Sequence, residues 1–211
     1  VDLQKDIPVQ FADGTFGHAE LTGKALGFGY NLGLNAKIDN HFSLGLSYRS
    51  KVSMKVKEGD ATFTVPESLS ANFPSGAFTS SLPLPSVLTL GVAYDSEKRW
   101  QAVLDINYVG WKAYDTLAFD YESNTASLTD TKSARKYKSI IAFRGGVNFK
   151  ATEMIAVRLG GGYGFSPVQS GYVTPESPDG NRVYGTAGLG FKFNEHFNLD
   201  LSFYYTHIKR M

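Results

Sequence analysis

The sequence contains no cysteine, and this absence removes several classes of protein at the outset. Without thiols there is neither a disulfide scaffold nor a cysteine-ligated metal site. No two of the four histidines (His18, His41, His196 and His207) stand at a spacing typical of metal ligands. We therefore predict that the protein uses no metal and no other cofactor.

An excess of charge of one sign is also missing, because 21 Lys and Arg balance 20 Asp and Glu to a net charge of +1. Nucleic-acid-binding proteins concentrate a basic excess on one face, so we predict no nucleic-acid partner. Long apolar runs are missing too. A membrane-spanning helix needs about 20 consecutive apolar residues, and Gly, Ser, Asn or a charge interrupts every shorter stretch here. A helical membrane protein is therefore excluded.

Sequence signatures of common enzymes are absent as well. The chain has no Gly-x-Ser-x-Gly motif of the kind that presents a nucleophilic serine. The glycine-rich run 160–164 lacks the lysine and the following helix of a phosphate-binding loop. We therefore predict that the protein is not an enzyme, and that these glycines relieve crowding in a bent strand or line a passage.

What the sequence does contain is 15 Phe, 12 Tyr and 22 Gly, arranged with a period of two residues. In one segment, Phe42, Leu44 and Leu46 alternate with small or polar residues, and Tyr48 ends the apolar series. Aromatic rings at the ends of alternating strands are typical of the two girdles of outer-membrane barrels. The same pattern recurs in eight segments, near 26–36, 42–48, 87–94, 102–109, 141–149, 157–165, 183–193 and 197–205.

The connections between these segments alternate in length. Short turns are predicted at 39–40, 96–98, 152–153 and 194–196, and long extracellular loops near 56–84, 117–136 and 167–181. This asymmetry is typical of outer-membrane barrels, whereas a soluble β-sandwich, the alternative from composition, has no need of it. We predict an all-β fold, an antiparallel transmembrane β-barrel, with residues 1–211 forming part of one domain. The prediction includes a monomer surrounded by outer-membrane lipid or detergent.

Six segments in order resemble the FadL/TodX family of outer-membrane transporters: 27–33 (GFGYNLG), 44–50 (LGLSYRS), 82–85 (LPLP), 107–111 (NYVGW), 165–168 (FSPV) and 177–182 (SPDGNR). The resemblance implies a barrel of about fourteen strands plugged by an N-terminal hatch. Because only eight strands are recognised here, we expect a fragment without the hatch, forming a curved sheet with two unpaired edges.

The resemblance also implies a function, the passive uptake of hydrophobic small molecules such as long-chain fatty acids across the bacterial outer membrane. Two alternatives remain open. Similar barrels serve as interaction partners in secretion or surface complexes, and a general aqueous porin would share the barrel. The apolar content of the connection 56–84 argues against the porin.

Three cations are candidates for binding the carboxylate of such a ligand through charge-assisted hydrogen bonds. Lys138 begins the fifth predicted strand, where the family often has an aromatic-Lys-Asp pattern, although this chain reads Tyr137-Lys138-Ser139. Arg49 and Arg144 fall on polar strand faces. The alternative for Lys138 is an exposed lysine at the rim, and for the arginines a structural network of charges along the wall.

Aromatic residues are candidates for holding the apolar part of the ligand. The connection 56–84 carries Phe63, Phe73 and Phe78, which are unusually apolar for an outer loop. Exposed apolar clusters often mark binding surfaces, but these residues could instead pack on one another to cap the barrel. Trp111 continues the polar register of its strand and is predicted to line the lumen or to anchor at the membrane interface.

Overall fold

The computed structural model describes the backbone of residues 2–10, 16–174 and 179–209, with side chains described from residue 17 onward. Within these ranges it has fourteen strands and two short 3-10 helices, at Glu67–Asn72 and Trp111–Ala113. The strands are β1 (Asp2–Gln10), β2 (Phe16–Leu26), β3 (Asn31–Lys37), β4 (Phe42–Arg49), β5 (Val52–Thr64), β6 (Gly76–Leu84), β7 (Val87–Asp95), β8 (Trp100–Val109), β9 (Thr116–Tyr121), β10 (Thr131–Ala134), β11 (Ile140–Lys150), β12 (Ile155–Gly164), β13 (Asn181–Lys192) and β14 (Asn198–Lys209). In the part of the chain so described, no helix is long and apolar enough to cross a membrane.

The chain forms two compact units, each built on one antiparallel sheet. The first unit comprises Val1–Gly29, Val52–Leu84 and Ala113–Lys136, and its strands lie in the order β1-β2-β5-β6-β9-β10. The second comprises Tyr30–Lys51, Pro85–Lys112 and Tyr137–Met211, with the order β14-β13-β12-β11-β8-β7-β4-β3. That both units belong to one barrel domain stays a prediction.

The sheet of the second unit is made of the eight strands that the sequence pattern predicts. The main difference is at the first of them, since β3 begins at Asn31 and residues 27–30 form no strand. Polar side chains build the short turns between the strands. Asp39 Oδ1 accepts the backbone N–H groups of His41 and Phe42, both at 2.7 Å, and so closes the turn between β3 and β4. Such side-chain acceptors replace backbone partners in tight turns.

The two faces of this sheet differ in polarity. Because directly paired residues of neighbouring strands point to the same side, the register separates an apolar face from a polar face. The apolar face is open to the surroundings: Leu34 is 74% exposed, Leu159 61% and Phe203 66%. Soluble monomers rarely present so large an apolar surface to water. A lipid environment removes the cost of that exposure.

The first unit instead contains a cluster of buried apolar side chains. Its core is Leu21, Val56, Ala61, Phe78 and Phe119, contributed by β2, β5, β6 and β9. Phe78 and Leu21 are each only 1% exposed. These side chains are thus covered by contacts within the first unit itself.

Two of the segments that the sequence predicts as long loops contain strands of the first unit. The segment near 56–84 holds most of β5 and the whole of β6, and the segment near 117–136 holds most of β9 and all of β10, so neither is an irregular loop. Register shifts between Gly23 and Ala25, and between Val56 and Gly59, interrupt the pairing of β2 with β5 and of β5 with β6. A bulge moves later side chains to the other face, which hides the two-residue period in the sequence. The third segment, 167–181, has no strand over its described residues before Asn181, and residues 175–178 lie outside the described part.

Candidate functional site

The polar face of the second unit carries a groove of about 370 Å³ across β8, β11, β12 and β13. Its walls include Asp105, Arg144, Arg158 and Tyr184. Strand register places Asp105 directly opposite Arg144, and Arg144 directly opposite Gly162. Charged and aromatic side chains from four strands therefore meet in one place on the sheet. We call this feature the polar groove.

Glycines form the floor of the polar groove. Gly146 and Gly160 are paired across β11 and β12, and a methyl group added to Gly146 would lie 3.3 Å from the Leu159 carbonyl oxygen and touch no charged side chain closely. At Gly162 the space is already taken, because the Tyr184 hydroxyl lies over this glycine. Because these glycines carry no side chains, the space above the floor is available to a bound molecule.

Asn107 organises one end of the groove although the sequence analysis did not single it out. Its side chain is 5% exposed, and its Oδ1 accepts hydrogen bonds from Arg144 Nη2 and Thr89 Oγ1, both at 2.8 Å. Its Nδ2 is buried without a hydrogen-bond partner among the described residues. The signal in the sequence is faint, since Asn107 is one polar residue among many on alternating strands.

The two arginines of the groove differ in their partners. Arg158 forms an ion pair with Asp200 and donates from Nε to Asn148 Oδ1 at 3.2 Å. Arg144 forms no ion pair with any residue that the structure describes, and Asn107 is its one hydrogen-bond acceptor there. Arg158 therefore belongs to a structural network, as the alternative interpretation of the wall charges predicts. Most of the N–H donors of Arg144 have no acceptor within the described part of the chain.

The other predicted cations lie elsewhere on the second unit. Arg49 ends β4, is exposed, and donates from Nε to Asn31 Oδ1 at 3.3 Å. Lys138 precedes β11 with an exposed side chain, and its backbone N–H donates to the Pro167 carbonyl oxygen at 2.9 Å. The structure thus places one of the three cations, Arg144, in the polar groove, and the roles of the other two stay predictions.

Trp111 does not continue β8, because the chain turns into a 3-10 helix at this residue. Its ring meets the ring of Tyr137 edge to face, with centroids 5.9 Å apart and planes at 66°. Tyr137 is 8% exposed. The half-buried indole therefore packs at the end of the sheet, and a role in binding stays a prediction.

The three phenylalanines of the segment 56–84 belong to the first unit and pack together with its other aromatics. Phe63 lies 6.2 Å from Phe73 and 6.0 Å from Tyr121, measured between ring centroids. Phe78 lies 5.8 Å from Phe119 inside the core. Mutual packing, one of the two expectations for these residues, is what the structure contains. Phe63 and Phe73 remain half-buried and so reach the surface, whereas Phe78 does not.

The chain is similar in sequence to known outer-membrane proteins. The family described as "Outer membrane protein transport protein (OMPP1/FadL/TodX)" matches residues 7–211. A putative outer membrane protein of Neisseria meningitidis serogroup B is 24% identical over 209 residues, which cover 91% of this chain and 44% of the relative. The long-chain fatty acid transport protein of Escherichia coli K12 is 23% identical over 199 residues, covering 90% and 44%.

Solved structures share the fold. A Pseudomonas aeruginosa FadL homologue superposes with a TM-score of 0.74 at 16% identity, covering 97% of this chain and 52% of its own. The toluene transporter TodX of Pseudomonas putida gives a TM-score of 0.58 at 22% identity, covering 90% and 47%. The chain thus spans about half the length of these relatives.

These matches bear directly on three predictions. The antiparallel β-barrel fold class, the resemblance to the FadL/TodX family and the outer-membrane location are each confirmed. Members of the family are transporters and channels by name. Since the family match covers nearly the whole sequence, the chain belongs to the OMPP1/FadL/TodX family of outer membrane transport proteins.

Proposed function

We propose that this chain forms part of a passive conduit through which hydrophobic small molecules cross the bacterial outer membrane. The observation that carries the proposal is that the sheet of the second unit has one apolar face and one polar face. The apolar face exposes residues such as Leu34 and Phe203 to the surroundings, which suits lipid. The polar face carries the polar groove with its glycine floor, which suits the wall of a passage.

The names of the relatives support hydrophobic cargo of two chemical kinds. Curated relatives are named for long-chain fatty acid transport, and solved relatives for toluene or monoaromatic hydrocarbons. Both kinds are apolar over most of their surface, and they differ in whether a charged head is present. Uptake down a concentration gradient requires from the protein only a series of binding sites along the passage, some apolar and some polar.

The remaining candidate residues have proposed places in that series. Phe63 and Phe73, half-buried and in contact in the first unit, offer ring surface to an apolar ligand. Lys138, exposed before β11, offers a cation to an anionic head. Arg49 is a weaker candidate because Asn31 already accepts its Nε–H. Phe78, fully buried, contributes by holding this aromatic cluster together.

Filling the groove tests the conduit. In the full-length protein, Gly146→Leu places a side chain over the groove floor, and we expect the initial uptake of labelled oleate and of labelled toluene to fall towards that of cells without the transporter. Gly185→Leu is the matched control, because Gly185 lies on the apolar face and an added methyl group meets nothing within 4 Å. Uptake should remain at the wild-type rate in this variant.

The readout is uptake by cells of a strain that lacks its own transporter of this family, with equal amounts of folded protein in the outer membrane. If Gly146→Leu and Gly185→Leu both transport like the wild type, the polar groove is not on the passage. If the wild type itself takes up neither compound above background, the conduit proposal fails, and an interaction role becomes the better account.

A further inference from the structure

Another cavity, of about 930 Å³, lies on the first unit and is formed by β2, β5 and the residues just after β2. Its lining includes three lysines, Lys24, Lys55 and Lys57, and two large apolar residues, Leu26 and Phe28. The lysine side chains are exposed, and none of them forms a hydrogen bond or an ion pair with a side chain that the structure describes. We call this feature the lysine cavity. It shares no residue with the polar groove.

A β-bulge brings two of these lysines together. Where the pairing of β2 with β5 shifts, the single residue Lys24 stands opposite two residues, Lys57 and Glu58. Both β5 residues are exposed, while Val56 and Gly59 on either side of them are buried. In a regular strand one of two adjacent side chains would point towards the buried face. The bulge instead turns both outward, so Lys57 lies on the same side of the sheet as Lys24.

The apolar part of the cavity adjoins the lysines on the same face. Leu26 is paired with Lys55 and is two residues from Lys24 along β2, which is about 7 Å at the usual rise of a strand. Leu26 is 72% exposed, and Phe28, further in the same direction, is 86% exposed. The cavity therefore offers cations at its centre and uncovered apolar surface at one end.

The acidic residues of the cavity lie at the other end. Asp60 is paired with Thr22, so it stands beyond the bulge when the strands are followed away from Leu26, and Glu58 lies between Asp60 and the lysines in the sequence of β5. Neither carboxylate forms an ion pair with any residue in the described part of the chain. A ligand whose apolar portion rests on Leu26 would thus meet the lysines before the acids.

We infer that the lysine cavity binds the phosphate groups of a membrane lipid, whose acyl chains cover Leu26 and Phe28. A lysine ammonium group binds phosphate as a compact point charge, and clustered lysines beside a membrane attract anionic lipids. Exposed apolar side chains next to such a cluster add contact with the acyl chains. Because the chain belongs to an outer-membrane family, lipid is at hand. This lipid is a bound partner of the first unit, distinct from transported cargo, and the inference does not depend on the conduit.

The test compares one lipid with and without its phosphates on the full-length protein in detergent. Lipid A and dephosphorylated lipid A are titrated in turn, and bound lipid is measured by native mass spectrometry. In the triple variant Lys24→Gln, Lys55→Gln and Lys57→Gln, we expect the dissociation constant for lipid A to rise about 100-fold, because each lysine near an anionic lipid contributes about fivefold. Binding of the dephosphorylated lipid should change little.

A second triple variant removes the same charge from other places. Lys98→Gln, Lys112→Gln and Lys132→Gln replace three exposed lysines that do not line the cavity, so the dissociation constant for lipid A should stay near the wild-type value. Heat-dependent migration in electrophoresis shows that each variant is a folded barrel.

Each outcome has a definite meaning. Weaker binding of lipid A in the first triple variant alone supports the phosphate site. Equal weakening in both triple variants would reveal a general effect of net charge and overturn it. Equal affinity of the wild type for lipid A and its dephosphorylated form would overturn it as well, because apolar contact would then be sufficient. If inorganic phosphate alone binds the wild type as tightly as lipid A does, the ligand is free phosphate and the lipid assignment is wrong.

Discussion

The two units of this molecule use the same alternating strands with opposite results for their apolar side chains. In the first unit Leu21 and Phe78 are 1% exposed and form a core. In the second unit Leu90 and Leu201 are both 53% exposed on a face that nothing in the described chain covers. The difference teaches that alternation specifies two faces, while the contacts that each face makes determine whether its side chains are buried.

The largest effect is expected from the core of the first unit. Phe78→Ala removes a fully buried ring in contact with Phe119 and should lower the free energy of unfolding by about 3–5 kcal/mol. Thr62→Ala, on an exposed position of β5, is the control and should change it by less than about 0.5 kcal/mol. Urea unfolding followed by tyrosine fluorescence measures both. A small effect of Phe78→Ala would mean that this cluster is not a core.

A charge on the apolar face of the second unit should have the next largest effect. Leu90→Arg is expected to destabilise the folded protein in lipid by about 2–4 kcal/mol if the site lies near the middle of the bilayer. Thr62→Arg places the same charge on an exposed position of the first unit and should cost less than about 0.5 kcal/mol. Folding into lipid vesicles over a urea series compares the two. Equal costs would contradict the proposal that the apolar face of the second unit lies in lipid.

The smallest effect concerns the turn between β3 and β4. The backbone N–H groups of Phe42 and His41 hold the pKa of the Asp39 carboxyl below its usual value. Because the folded-state pKa is the lower one, this contribution to stability is present above the ordinary pKa of 3.8 and is lost as the pH falls through the folded-state value. The first unit has no part in this turn.

Asp39→Asn tests this assignment, because an asparagine accepts the same hydrogen bonds without titrating. Asn194 already does so in the turn between β13 and β14, where it accepts the N–H groups of His196 and Phe197 at 2.8 Å. Acid unfolding of Asp39→Asn should therefore begin at a lower pH than that of the wild type. Identical acid transitions would show that the turn does not contribute.

The comparison of the units also explains which strands could be predicted. All eight strands of the second unit were found, since each keeps a strict two-residue period and ends at a short turn. Strands such as β5 and β6 were treated as a loop, because the shift between Val56 and Gly59 breaks the period and lysine and serine occupy the exposed positions. A pattern that depends on regular pairing fails where the pairing is irregular.

In the candidate site, too, the sequence predicted one residue and missed another. Arg144 was predicted because a cation on the polar face of a barrel strand is visible in the sequence. Asn107 was missed, because its importance comes from the hydrogen bonds of Arg144 and Thr89 to one oxygen and from a buried amide nitrogen. These are contacts between residues 18 to 37 positions apart in the chain.

The sequence by itself determined the class of this protein: the two-residue period, the aromatic ends of the strands and the ordered family segments lead to an outer-membrane barrel of the OMPP1/FadL/TodX family. The tertiary structure alone decided that Phe78 lies in a core and that, among the residues it describes, Arg158 forms an ion pair and Arg144 does not. Local patterns report which side of a strand a residue occupies. Partners are set by the register between strands that are distant in sequence, and it is partners that decide whether a charge is free to bind.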